Sequence, residues 1–358
     1  MTTTLAQHTT FRVGGPVRDY FEASSEAELI EAVRIADAQG TPVLVLGGGS
    51  NLLAADAGFD GLVVRDARRE VQVQDDGMCG GVSATATAGL PWDDFVAQAV
   101  TEGWVGVEAL SGIPGSTGAT PVQNVGAYGA EVAETIALVR VWDRHEQQVR
   151  SLPQIACGFS YRDSLLKRSM RGGAPDGGVW RPSPRYVVLD VTFQMRFGTL
   201  SGPLRYAQLA SALGVAEGER APLTEVRAAV LEVRASKGMV LDAADHDTWS
   251  AGSFFTNPIL TPEAAAQLPQ DAPRFPAAGG QVKSSAAWLI ERAGFGRGFQ
   301  VTADAPASLS TKHTLALTNR GGATAADVVA LARAVRDGVR ERFGVELVPE
   351  PVFLGLEL

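Results

Sequence analysis

The sequence predicts an α+β fold, because helical and strand patterns are mixed along the whole chain. Amphipathic helical patterns occur at 25–39 and 324–343, and runs rich in β-branched residues occur at 42–46 and 186–193. With 45% hydrophobic and 20% charged residues, the composition is that of a globular protein and excludes a disordered or fibrous class. A length of 358 residues suits two or three compact domains.

The charge pattern excludes several kinds of partner. The net charge is −9 and the basic residues are scattered, so no basic patch exists for nucleic acid. The N-terminus has no basic region followed by an apolar run, and no stretch of about 18 uninterrupted apolar residues is found. We therefore expect a cytoplasmic protein that binds neither membrane nor nucleic acid.

Cysteine and histidine are few and dispersed. Cys79 and Cys157 lie far apart, which favours reduced thiols over a disulfide framework. The histidines show no metal-ligand spacing, so we expect no metal site; they are His8, His145, His246 and His313.

The first helix and strand lead into a glycine loop. Ser25 lies three positions before Glu28 and precedes apolar residues at helical spacing, which predicts a capped helix over 25–39 that ends at Gly40. The following β-branched run predicts a buried strand before Gly47, Gly48 and Gly49. A Rossmann unit would continue directly into a helix, whereas 54–64 is broken by glycines and returns to a strand pattern, so that fold is excluded. The loop is either an anion-binding nest of main-chain amides or a plain tight turn.

A second loop, "ALSGIPGSTGATPVQNVGAYGA" at 109–130, has no charged residue and five glycines. Its glycines and prolines predict neither a helix nor a membrane span. Uncharged glycine-rich loops of this length usually offer their amides to a ligand, although a buried loop of small residues is the alternative. Two such loops would suit the two phosphates of a dinucleotide.

The remaining segments are simpler. Residues 164–185 are rich in Gly, Pro and Arg, which predicts a mobile surface excursion with solvated arginines, placed after a turn at Arg162–Asp163. Near the C-terminus, Thr324 is the expected N-cap of a helix with one apolar face that stops at Gly344.

Six motifs resemble one family when they are taken in chain order. They are "TTFRVGG", "LGGGSNLL", "GIPGSTGATPVQNVGAYGAEV", "YRDS", "AGSFFTNP" and "VPEPVFLG", and they extend to Gly355. This series resembles the UDP-N-acetylenolpyruvoylglucosamine reductases, flavoenzymes of peptidoglycan precursor synthesis. Each motif alone is modestly specific, but six in register over nearly the whole chain make coincidence improbable.

The resemblance implies a flavin-binding fold of the vanillyl-alcohol-oxidase (PCMH) type with a C-terminal α+β substrate-binding domain. We expect one FAD-binding lobe at 1–66, a second at 67–236, and a substrate-binding domain at 237–345, with 346–358 returning to the active site. It also implies non-covalent FAD and NADPH as the electron source. The expected FAD-binding residues lie in the two glycine loops: Gly47, Gly48, Gly49, Ser50, Asn51, Ser111, Gly112, Ile113, Pro114, Gly115, Gly118, Ala119, Gln123, Asn124, Gly126, Ala127 and Tyr128.

Three residues match the family's catalytic positions. The resemblance implies that Arg162 of "YRDS" stabilises charge on the substrate, that Ser253 of "AGSFF" donates a proton to carbon, and that Glu350 of "VPEPVF" supplies a carboxyl group. A serine hydroxyl is a weak acid, so we expect a dry surround, which the flanking phenylalanines would suit. Taken singly, each residue is more often structural than catalytic.

Four further residues match substrate-binding positions: Tyr206, Lys237, Asn257 and His313. Lys237 and Tyr206 suit a diphosphate as a point charge and a hydroxyl donor, and the resemblance implies that Tyr206 folds over the nucleotide. His313 stands where some family members have glutamine. The segment between Lys237 and Ser253 is longer than in the shortest members.

Two other functions fit parts of the sequence. Oxidases and dehydrogenases of alcohols or lactones share the flavin fold, but they commonly tether FAD through histidine or cysteine, and neither residue lies in the glycine loops. A nucleotide-sugar-binding protein without flavin would show no flavin absorption after FAD is added. The resemblance also suggests a monomer.

Overall fold

The computed structural model describes residues 3–75 and 81–358, so the expectation for Cys79 lies outside the described residues. The chain forms two compact units. The first unit consists of residues 3–16, 50–59 and 236–358, and the second of the described parts of 17–49 and 60–235. No helix in the described ranges is long and apolar enough to cross a membrane. The three-part division with boundaries at 66 and 236 stays a prediction beside these two units.

Helices and strands occur throughout both units. The helices are α1 Glu26–Ala38, α2 Trp92–Thr101, α3 Thr120–Gln123, α4 Gln154–Cys157, α5 Leu165–Ser169, α6 Ala207–Ala212, α7 Leu223–Ser236, α8 Pro262–Ala266, α9 Ala286–Arg292 and α10 Ala325–Phe343. The strands are β1 Val17–Ala23, β2 Val43–Leu46, β3 Leu52–Ala54, β4 Phe59–Asp66, β5 Val71–Asp75, β6 Val82–Thr87, β7 Trp104–Val105, β8 Gly126–Ala127, β9 Ala130–Glu131, β10 Ile136–Asp143, β11 Gln148–Pro153, β12 Tyr186–Phe197, β13 Ile259–Leu260, β14 Phe275–Pro276, β15 Val282–Lys283, β16 Ala307–Leu309, β17 Leu317–Asn319 and β18 Val352–Leu354.

The second unit contains two larger sheets. One has the order β1-β4-β2, with β2 and β4 parallel. The other has the order β11-β10-β12-β6-β5, with β7 added beside β12, and its paired strands are antiparallel. The main core of this unit packs α2 against the long central strand β12, where Trp92, Phe95 and Phe193 lie ring to ring.

The first unit is built from segments far apart in sequence. Strand β18 pairs in parallel with β3, and α10 packs its apolar face into the core of this unit. Phe11 and Phe254 meet edge to face in that core at 6.3 Å. The N-terminal segment therefore belongs structurally with the C-terminal half of the chain.

The longer predicted elements are confirmed. Helix α1 begins at Glu26 with the Ser25 side chain accepting a hydrogen bond from the Glu28 amide. Helix α10 has Thr324 as its N-cap and Gly344, at φ 66°, as its C-cap. Strands β2 and β12 cover the two predicted β-branched runs.

Two sequence predictions are wrong in detail. The loop at 109–130 does contain a helical turn, α3, because Pro121 occupies the start of the turn, where proline is tolerated. The 164–185 segment is not uniformly solvated, since α5 is capped by Ser164 and Arg185 is only 3% exposed. Arg185 is buried because it pairs through two nitrogens with the fully buried carboxylate of Asp143.

Candidate active site

The two glycine loops lie against each other within the second unit. A Cβ added at Gly48 would lie 2.6 Å from the Cα of Gly115, and a Cβ at Gly47 would lie 2.6 Å from the Ser116 hydroxyl. At Gly48 only a residue without a side chain allows this approach, because the neighbouring atom belongs to the backbone. The two loops thus pack directly against each other, backbone to backbone at Gly48 and Gly115.

The second loop is fixed from behind by the turn that precedes α2. The Thr117 amide donates to the Leu90 carbonyl at 2.8 Å, and the Gly118 amide donates to the Ala88 carbonyl at 2.9 Å. The Gly112 amide donates to the Asp93 carboxylate at 2.6 Å, and Arg227 holds that carboxylate with two nitrogens. The loop is therefore a rigid part of the second unit.

Arg162 lies at the end of this loop, in the second unit. Its Nη2 donates to the Gly126 carbonyl at 2.7 Å. Asn124, in the left-handed region at φ 43°, uses its amide nitrogen to bond the carbonyl of Ser160 and the carboxylate of Glu131, each at 2.9 Å. Asn124 is fully buried, so it joins the "YRDS" turn to the glycine loop.

Tyr128 and Tyr206 meet edge to face, with ring centroids 5.4 Å apart. Burial raises the pKa of the Tyr128 phenol, and the neighbouring Tyr206 acts in the same direction, whereas Arg234 opposes it. Tyr206 is 41% exposed and directly precedes α6. The structure therefore brings an expected FAD-binding residue and an expected substrate-binding residue together.

Ser253 and Glu350 lie on two paired segments of the first unit. The Glu350 amide donates to the Phe254 carbonyl at 2.8 Å, and Phe255 forms an antiparallel bridge with Pro349. On its other side, the Phe254 amide donates to the Leu315 carbonyl at 2.8 Å. Backbone pairing on both sides of Phe254 thus fixes the position of Ser253.

Asn51 completes this group. Its side-chain nitrogen donates to the Glu350 carbonyl at 3.4 Å, and its own carbonyl accepts from Val352 at 2.9 Å. The end of the first glycine motif therefore lies beside the expected catalytic carboxyl residue. Backbone hydrogen bonds therefore bring together three motifs that lie up to about 300 positions apart in the sequence. These are the motifs that contain Asn51, Ser253 and Glu350.

The surround of Ser253 differs in part from the expectation. Ser253 is half-buried, whereas Phe254 and Phe255 are 0% and 1% exposed and belong to the core of the first unit. These phenylalanines anchor the segment by packing inward. That they also keep water from the serine stays a prediction.

Three cationic or potentially cationic side chains form a group in the first unit. Burial lowers the pKa of His313 to about 4, and the nearby charges of Lys237 and Arg297 add to this effect. His313 is therefore neutral at pH 7. Arg297 is an exposed arginine between the glycines of "GRG", and it could not be predicted because it lies in no recognisable motif.

The remaining expected residues lie in the same segments. The Asn257 side-chain oxygen accepts from the Ala286 amide at 3.0 Å, which holds the start of α9. No group of three His, Cys, Asp or Glu side chains with metal-binding geometry is found in the described part of the chain. Ser50, Ser111, Ile113, Pro114, Ala119, Gln123 and Ala127 lie in the two glycine-loop segments described above.

Comparisons with known proteins match both parts of the chain. Residues 18–151 match a model for an FAD-binding domain, and residues 243–354 match the C-terminal domain of UDP-N-acetylenolpyruvoylglucosamine reductase. The reductase of that name from Cutibacterium acnes is 54% identical over 98% of this chain and 89% of its own length. The one from Thermobifida fusca is 50% identical over 99% of this chain and 97% of its own. The crystal structure of the Thermus caldophilus reductase superimposes with a TM-score of 0.64 at 25% identity, over 99% of this chain and 98% of that one.

Proposed function

The chain belongs to the UDP-N-acetylenolpyruvoylglucosamine reductase family, and we propose that Arg162, Ser253 and Glu350 perform its chemistry. It is an FAD-containing oxidoreductase of peptidoglycan precursor synthesis. It uses NADPH to reduce the enolpyruvyl ether of UDP-N-acetylglucosamine enolpyruvate to UDP-N-acetylmuramate. The α+β flavin-binding fold that the sequence predicted is confirmed.

The residues present fit FAD. The approach of Gly48 to Gly115 leaves no room for a Cβ, so the two expected FAD-binding loops meet backbone to backbone, which suits a nest of main-chain amides. Residues 47–51 and 111–128 would hold FAD, which when bound would supply hydride chemistry, with electrons from NADPH, at the vinyl methylene carbon of the substrate.

Arg162 stabilises the charge that follows hydride addition. Negative charge then develops on the neighbouring carbon and on its carboxylate. A guanidinium is permanently charged and carries a planar set of donors that matches a carboxylate. The Arg162–Gly126 hydrogen bond supports this role, because it pre-orients the guanidinium before substrate arrives.

Ser253 donates the proton that completes the new C–H bond. The pairing of its segment with that of Glu350, through the hydrogen bond from the Glu350 amide to the Phe254 carbonyl, is the observation that carries the proposal. None of the described residues donates or accepts a hydrogen bond at its hydroxyl, which leaves the group available to the substrate. After transfer the serine oxygen must regain a proton, and we assign the carboxyl group of Glu350, on the paired segment, to orient the serine or return that proton.

The cationic group of Lys237, Arg297 and His313 binds the diphosphate of the sugar nucleotide. The positive charges of Lys237 and Arg297 lie near the neutral imidazole of His313 and attract anions. A diphosphate carries the opposite, negative charge. Asn257 and Tyr206 act at the nucleotide end, with Tyr206 covering the ligand. The enzyme works as a monomer in the cytoplasm, with substrate held by 237–345.

The experiment that tests this function is NADPH oxidation by the purified protein, with and without UDP-N-acetylglucosamine enolpyruvate. We expect NADPH consumption that depends on the sugar nucleotide and yields UDP-N-acetylmuramate in equal amount. NADPH consumption that is equally fast without the sugar nucleotide, or that yields no UDP-N-acetylmuramate, would contradict the proposed function.

A further inference from the structure

Asp247 lies in the segment between Lys237 and Ser253, within the first unit, and its carboxylate is almost completely buried. The residue is 4% exposed. Its Oδ1 accepts from the Thr311 amide at 2.8 Å and from Arg320 Nη1 at 2.9 Å, and its Oδ2 accepts from the Thr311 hydroxyl at 2.5 Å. All three donors belong to the segment that carries His313.

A second carboxylate holds the same turn. Lys312 Nζ donates to Asp245 Oδ2 at 2.6 Å, so Thr311 and Lys312 are each bound by a different aspartate. The Ser310 hydroxyl oxygen accepts from the amides of Lys312 and His313. Hydrogen bonds therefore hold the turn from Ser310 to His313 along its whole length. Asp247 accepts the buried ones, which come from Thr311.

The opposite side of Asp247 contacts the residue after Lys237. A Cβ added at Gly238 would lie 3.0 Å from the Asp247 carbonyl oxygen and 3.2 Å from its Cβ, and Gly238 has a φ of +67°. Asp247 thus touches the segments that carry Lys237 and His313.

We infer that Asp247 is a positioning residue, which holds Lys237 and His313 in the arrangement that binds the diphosphate. This inference rests on the proposed function, because it needs that group to be the diphosphate site. Burial opposes ionisation of Asp247, but the Thr311 hydrogen bonds and the charge of Arg320 outweigh it and lower the pKa, so the carboxylate is charged at neutral pH. The positive charge of Arg320 compensates the negative charge of the Asp247 carboxylate. The carboxylate therefore does not cancel the attraction of the cationic group for anions.

The test compares UDP binding and turnover for Asp247→Asn and for a matched control. Asparagine keeps the shape but presents an NH₂ group to donors, so the turn loses its support. We expect the Kd for UDP and the KM for the sugar nucleotide to rise about tenfold, with kcat at saturation and flavin reduction by NADPH within about twofold of wild type. Asp143→Asn, an equally buried arginine-paired aspartate in the second unit, should leave the Kd for UDP unchanged.

Two further variants make every outcome decisive. Thr311→Val removes one hydrogen bond to Asp247 from a solvent-exposed position, and it should raise the Kd for UDP about threefold even if Asp247→Asn fails to fold. Wild-type affinity in either Thr311→Val or Asp247→Asn, or an equal loss in Asp143→Asn, would overturn the inference. Lys237→Ala tests the proposed function separately: wild-type UDP affinity in that variant overturns the diphosphate site itself, and with it the inference.

Discussion

Arg162 is unusual at the level of its own backbone. It adopts φ 53°, in the left-handed region that residues with a side chain rarely occupy, and its guanidinium donates to the Gly126 carbonyl. Such a conformation costs about 1 kcal/mol or more and persists only where the surrounding structure imposes it. The Lys167 ammonium, which donates to the Arg162 carbonyl at 2.9 Å, is part of that surround.

Arg162→Lys should therefore impair catalysis although the charge is kept. An ammonium lacks the planar set of donors needed to hold the Gly126 carbonyl and a carboxylate together, so we expect kcat to fall about 100-fold. Steady-state kinetics measures this effect. Arg18→Lys, at an exposed ion pair, is the control and should change kcat by less than about twofold. Equal kcat values in both variants would contradict the role of Arg162.

His313 makes stability depend on pH. Its pKa is about 4 in the folded chain and near 6.5 when unfolded, so the unfolded state binds the proton first as pH falls. The free energy of unfolding therefore decreases as the pH falls from about 6.5 to 4, by at most about 3 kcal/mol. His313→Gln has no titrating group there, and its free energy of unfolding should fall less over this range.

Urea unfolding at several pH values checks this prediction. The difference in free energy of unfolding between wild type and His313→Gln is the quantity to follow, because carboxylates elsewhere titrate equally in both proteins. A difference that stays constant from pH 7 to pH 4 would contradict the lowered pKa of His313.

Residue roles were predictable where the chemistry is local. Ser25 and Thr324 were identified as helix caps because a cap acts within three residues of itself. The partners of Asp247 lie 64 and 73 positions away, and Arg297 acts on a distant histidine. No local pattern contains that information, so neither residue could be found from the sequence.

At the level of elements, the close approach of the two glycine loops makes a clear prediction. Gly48→Ala should lower the affinity for FAD at least about tenfold, because its Cβ would meet the Gly115 Cα at 2.6 Å and force the loops apart. The flavin-to-protein absorbance ratio after gel filtration reports FAD retention.

Gly202→Ala is the matched control in the same unit. A Cβ there would meet only the Glu108 carboxylate, at 4.0 Å, so FAD retention should equal that of wild type. Full FAD retention by Gly48→Ala would show that the loops do not form the cofactor cradle.

Long elements were predicted and short ones were missed, for a physical reason. A 3.6-residue period can be read over α10, which has 19 residues, but not over α3, which has 4. Helix α5 is equally short and depends on the Ser164 cap and on burial of Leu166. Helices of this size follow from tertiary packing more than from their own sequence.

For the molecule as a whole, six motifs in chain order were enough to predict the family, and relatives at 50% and 54% identity confirm it. The two-unit organisation could not be read in the same way. The first unit joins three separate segments, and β18 pairs with β3 across almost the entire chain. Long-range pairing of this kind leaves no local periodicity in the sequence.

The central claim is that the Ser253 hydroxyl protonates the substrate carbon. Rapid mixing separates the two half-reactions: flavin reduction by NADPH, and flavin reoxidation by UDP-N-acetylglucosamine enolpyruvate. In Ser253→Ala we expect the first rate to equal that of wild type and the second to fall by at least about 100-fold. Thr256→Val, which removes a hydroxyl from the same segment, should leave both rates unchanged. Reoxidation of Ser253→Ala at the wild-type rate would contradict the claim.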